Sequence, residues 1–129
     1  MLSDIDMLSE MLNKFNREGG FSNSILTDAS GFLLASSKSE KEQNLEYQTA
    51  SVALIQKTIK QANKRLGLGL PEEFSLSTTD GQNLVCRPFQ MDGYELVLAI
   101  ILANRRQRYR RITEKTIIEI RKTLNTCCS

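Results

Sequence analysis

Apolar residues recur along the chain in two rhythms, one helical and one extended. Ile5, Leu8, Leu12 and Phe15 are spaced three and four apart, one stripe on a helix running to about Arg17. Ser3 precedes the stripe with Asp6 three residues on, the spacing of a capping box, and Asp4 and Asp6 suit the positive end of a helix. Gly19-Gly20 ends it. Ile25 and Leu26 then stand among small polar residues, Asp28-Ala29-Ser30-Gly31 supplies a turn, and Phe32 to Ala35 return, so two short strands are predicted. Lys38 to Asn44 is polar and reads as a surface connection. A longer helix follows from about Leu45 to Leu66. Val52, Ile55, Ile59, Ala62 and Leu66 form its main stripe, and Ala50, Ala53 and Leu54 widen the apolar surface. A helix lying on one sheet needs one apolar face, so the extra width predicts a second contact.

Gly67-Leu68-Gly69-Leu70-Pro71 breaks the helix, and the rhythm changes to that of strands. Phe74 to Thr78 alternates apolar and polar, and Asp80-Gly81 is a hairpin signal. Leu84 to Gln90 is the next strand. Its Pro88 has no N–H to give to a ladder and predicts a strand end or a bulge. Asp92-Gly93 turns the chain again into Tyr94 to Ala103, an almost continuous apolar run. Such a run is expected of a central strand covered on both faces. Thr113 is predicted to cap a last helix with Ile117, Ile120 and Leu124 facing inward. The order is α-β-β-α-β-β-β-α. One domain over residues 1–129 is expected, an α/β (α+β) sandwich with a five-stranded, mostly antiparallel sheet and helices on both faces.

Helix, Gly-Gly, strand, Asp-x-x-Gly, strand and long helix, then three strands and a last helix: this succession resembles the Roadblock/dynein light chain family over nearly the whole chain. The long arginine-rich C-terminal segment departs from the shorter eukaryotic dynein light chains. It is closer to the stand-alone prokaryotic members that serve Ras-like GTPases. The resemblance implies the strand order 2-1-5-4-3, with the fifth strand central and the third at an edge. It implies a homodimer, or a heterodimer with a paralogue, whose third strands join across a two-fold axis while the long second helices pack side by side. The residues expected at that interface are Ala50, Ala53, Leu54, Ile55, Ile59, Phe74, Ser75, Leu76 and Ser77. It further implies a regulator or scaffold that binds a small Ras-like GTPase across the paired helices, where Lys57, Lys60, Gln61 and Lys64 are the expected contacts.

Composition narrows the chemistry. The chain has no histidine, and its three cysteines lack C-x-x-C spacing, so no metal is expected. The serines at 22, 24, 36, 37 and 39 have no histidine base, and no phosphate-cradling G-x-x-x-x-G-K-[ST] is present; neither enzyme activity nor a cofactor is expected. Cys86, Cys127 and Cys128 are expected as free thiols in the reducing cytoplasm. No secretion signal is apparent, Thr126 stands where a prenylation cysteine would be needed, and the longest apolar run is too short to cross a bilayer.

Net charge is +2 but uneven: Asn104 to Lys122 holds eight basic and two acidic residues. Arg105, Arg106, Arg108, Arg110 and Arg111 are a candidate site for an anionic partner, with Tyr109 among them; the plainer alternative is a solvated loop balancing Glu10, Glu18 and Glu95. Two other functions stay open on these residues. One is a small-ligand sensor of profilin-like or PAS-like type. The other is a nucleic-acid or membrane adaptor acting through the arginine run.

Overall fold

The first apolar stripe becomes α1 (Asp4–Gly19), in which Leu8, Leu12 and Phe15 are buried. The computed structural model describes residues 4–37, 45–102, 104 and 106–128. After α1 come β1 (Asn23–Asp28), β2 (Leu33–Ser36), α2 (Leu45–Arg65), β3 (Phe74–Ser77), β4 (Asn83–Met91), β5 (Tyr94–Leu102) and α3 (Arg110–Cys128). Ser3, the connection Lys38 to Asn44, Ala103 and Arg105 lie outside the described residues. Gly20 takes a φ of 69° where α1 gives way to β1, a conformation that a Cβ would strain. Phe21 then folds back, its N–H donating to Asn16 O at 3.0 Å and its ring 4.8 Å from that of Phe15.

The strands pair in the order β2-β1-β5-β4-β3, and every pairing is antiparallel. The apolar run is indeed the central strand β5. Strand alternation sends Leu96, Leu98, Ile100 and Leu102 into one core with Leu12 and Phe15 of α1 and Ile117 and Ile120 of α3. Val97 and Ala99 go to the other face, where they meet Ile25, Cys86 and Val52 of α2. Two helices therefore cover one face of the sheet and one helix covers the other.

Two local expectations are corrected. Pro88 neither ends nor bulges its strand; it pairs in regular register with Val97 inside β4. β3 pairs with β4 only as far as Cys86, so among the described residues no strand lies beside Pro88 on that edge to need its missing N–H. Thr113 is no cap either. α3 begins at Arg110, and the buried Thr113 hydroxyl donates to Tyr109 O at 2.5 Å within the first turn.

Candidate partner interface

α2 rests on the sheet through Thr49, Val52 and Gln56, all buried. Gln56 Nε2 donates to Glu95 Oε1 at 2.7 Å, and Lys60 Nζ pairs with the other carboxylate oxygen of Glu95. Gln56, with Lys60 one turn on, thus has a partner on β5. The apolar line Ile55, Ile59, Ala62 and Leu66 lies one step round the helix. Ile55 and Ile59 are half-buried, while Ala62 and Leu66 are exposed. Of the expected stripe, Val52 faces the sheet, while Ile55, Ile59, Ala62 and Leu66 lie on the flank of α2.

That flank looks toward β4 and β3. Ser51, Val52 and Ile55 border a cavity of about 240 Å³ with Ile25, Leu84, Ala99 and Ile101, and Asn23 and Ser24 close its end. Beyond it the sheet continues through Leu84 and Phe74, both half-buried, to Leu76, which is 55% exposed. Antiparallel register puts Phe74, Leu76, Leu84, Cys86, Ala99 and Ile101 on this one face. β3 hydrogen-bonds to β4 alone among the described residues. Its residues Phe74-Ser75-Leu76-Ser77 carry no charge and no proline, the usual protections of an open edge.

On the opposite flank of α2, Ala53 is half-buried and Ala50 exposed. A Cβ built on Gly31 would stand 3.2 Å from Ala53 Cβ and 4.0 Å from Ala50 Cα, so both alanines lie beside the β1–β2 turn. Asp28 Oδ1 fixes that turn by accepting from the N–H groups of Ser30 at 2.9 Å and Phe32 at 2.8 Å. Leu54 is 66% exposed, and Lys57, Gln61 and Lys64 are exposed with it. Lys60 stands apart from those three because Glu95 holds it.

No protein-family model matches the sequence, and no curated protein is similar to it in sequence. Solved structures do match. MglB of Myxococcus xanthus superposes with a TM-score of 0.79 at 13% identity, over 98% of this chain and 93% of that one. The gliding protein MglB of Thermus thermophilus gives 0.76 at 17% identity, over 95% and 92%. A Roadblock/LC7 domain from Streptomyces avermitilis gives 0.73 at 10%, over 94% and 98%. The chain has the Roadblock/LC7 fold.

On this Roadblock fold the arginine run lies at the other face of the sheet, and the structure divides it. Arg110, itself exposed, borders a network on Glu73. Glu73 accepts from the Tyr109 hydroxyl at 2.7 Å, with Arg87 at 3.7 Å and Arg110 at 4.0 Å, while Arg87 also reaches Glu114 at 3.3 Å. Burial, then the Glu73 acceptor, pushes the Tyr109 phenol above its ordinary pKa, with Arg110 opposing. Arg106, Arg108 and Arg111 are exposed. Arg108 and Arg111, with Lys115, Glu18, Tyr109 and Ile112, surround an open hollow of about 450 Å³ between the end of α1 and the start of α3. Of the acids expected to balance the run, Glu18 borders this hollow, whereas Glu95 is engaged on the α2 face.

Burial pushes the Cys86 thiol up to about 12, which makes it a packing residue. No group of three or more His, Cys, Asp or Glu suited to a metal occurs among the described residues, and no helix there is long and apolar enough to cross a membrane. Sequence reasoning passed over Leu84 and Ile101 as surface formers, although strand parity links both to Leu76. It also passed over the exposed Phe32 and Tyr94, whose turns share one end of the sheet.

Proposed function

We propose that the protein is a non-enzymatic Roadblock-type regulator or scaffold that works as a homodimer and binds a small Ras-like GTPase. One observation carries the dimer. Ile55 of α2 borders one cavity with Leu84, Leu84 pairs with the exposed Leu76 on the same sheet face, and Leu76 lies on the uncharged edge strand β3. A second copy related by a two-fold axis presents the same elements in return, edge to edge and helix beside helix. Ile55, Ile59, Phe74 and Leu76 are the residues proposed to meet the partner. The half-buried Ala53 packs beside Gly31 within the chain, while Ala50 is exposed and stays among the proposed interface residues.

The GTPase follows from the resemblance to stand-alone prokaryotic Roadblock proteins, and the likeness to the MglB structures supports it. Pairing the α2 helices leaves Lys57, Gln61, Lys64 and Leu54 on an exposed platform, an apolar residue ringed by donors. Such a platform regulates by preferring one arrangement of the switch loops, with no catalytic group of its own. The test is affinity capture from native cytosol, run in parallel with GDP and a non-hydrolysable GTP analogue. A small GTPase retained mainly with the analogue is the expected result. Equal retention in both states assigns a scaffold, and no GTPase with folded, dimeric bait overturns the reading.

A further inference from the structure

The segment joining α2 to β3, Leu66-Gly67-Leu68-Gly69-Leu70-Pro71, carries three leucines that are 72%, 58% and 82% exposed. Its backbone is nonetheless tied down. The N–H groups of Leu66, Gly67 and Leu68 donate to Ala62 O at 3.0 Å, Lys64 O at 3.2 Å and Asn63 O at 2.7 Å. Asn63 Nδ2 donates to Gly69 O at 3.1 Å. A Cβ built on Gly67 or Gly69 would meet no atom within 4 Å. The loop is therefore held in place and projects from the body of the domain, with its leucines toward open space.

Charge says what such a loop fits. From Lys57 to Glu73 the chain holds four basic residues and two acidic ones, Glu72 and Glu73, both after Pro71; Glu73 is engaged by Arg87 and Tyr109, which leaves Glu72 as the exposed acid of the loop. Lys60 is held by Glu95, while Lys57, Lys64 and Arg65 are exposed on the turns that lead into the loop. A convex apolar tip behind a cationic collar is complementary to an anionic bilayer surface. The leucines enter the acyl boundary, and the long basic side chains reach the headgroup charge.

We infer that this loop is a membrane-contact element that seats the domain on bilayers carrying anionic headgroups. The inference goes beyond the GTPase reading and does not need it; Lys57 and Lys64 are common to both surfaces, while Arg65, Leu68 and Leu70 belong to the loop alone. A dimer would carry two such loops and bind more tightly through avidity.

The test uses the full chain with vesicles of phosphatidylcholine alone and with one third phosphatidylglycerol. Flotation with the anionic vesicles, weakened by added salt, is expected. Replacing both Leu68→Ser and Leu70→Ser should cut binding by at least about tenfold. Because the chain has no tryptophan, Leu70→Trp sets one reporter at the loop, and its emission should shift to the blue on anionic vesicles. The inference fails if the wild type stays with the soluble fraction, or if the reporter does not shift. It also fails if the leucine pair can be replaced without loss while Arg106→Gln with Arg108→Gln and Arg111→Gln abolishes binding. Conversion of a dimer to a monomer by the leucine substitutions would overturn it too, assigning the loop to a second copy.

Discussion

Tyr109 and Cys86 show how single side chains of this chain are committed to structure. Tyr109 hydrogen-bonds Glu73 beneath the arginine run, and its phenol titrates above the ordinary value because burial and that acceptor favour the neutral form. A raised folded pKa means that the contribution is complete below about pH 10, the unfolded value, and is lost as pH rises through the folded one. Urea unfolding of the wild type and Tyr109→Phe should therefore differ by up to about 1 kcal/mol at pH 8. The gap should begin to narrow above about pH 10 and close only as pH passes the higher folded value. A gap independent of pH would place the hydroxyl's role elsewhere. Cys86 has no exposed sulfur and a thiol pushed up to about 12. With Cys127→Ser and Cys128→Ser in the background, it should resist an aromatic disulfide reagent at pH 8 and react only on unfolding. Rapid labelling of the native protein would contradict its burial.

At the scale of elements, α2 is the informative part. Its period was legible in the sequence, and its facing was not. Spacing alone assigns Val52, Ile55 and Ile59 to the sheet, but Gln56 and Lys60 find Glu95 on β5, a partner thirty-five or more residues away that no local pattern reveals. The helix turns accordingly, and the isoleucines move to its flank. Pro88 makes the same point for strands, since its tolerance depends on where β3 stops, a matter of sheet register. By contrast, the central place of β5 could be read from its unbroken apolar run, because a strand covered on both faces has no polar side. The turns of α2 that face β4 and β3 yield a direct prediction. Ile55→Asp should weaken self-association by at least about a hundredfold, roughly 3 kcal/mol, with helix content unchanged. An unaffected dimer would remove Ile55 from the interface.

For the whole molecule, the uneven covering of the sheet organises everything else. One face is sealed by α1 and α3, with the arginine run and its Glu73 network at its margin. Among the described residues the other has α2 and continues past it to the edge strand β3. The element order and the Asp-x-x-Gly turn made the fold legible. The location of the exposed strip was not, since it depends on which helix flank and which strand parity meet. The 240 Å³ cavity under α2 opens onto that same strip and is smaller than most ligand pockets, which favours a protein partner over a small ligand there.

Sedimentation equilibrium of the wild type beside Leu76→Asp tests the central claim most directly. Leu76 is 55% exposed on the edge strand, so an aspartate there leaves the monomer's core intact. The proposed two-fold pairing through β3 and α2 predicts a wild-type dimer at micromolar concentration and a folded monomer for Leu76→Asp. A monomeric wild type, or a variant that dimerises as well as the wild type, would contradict it.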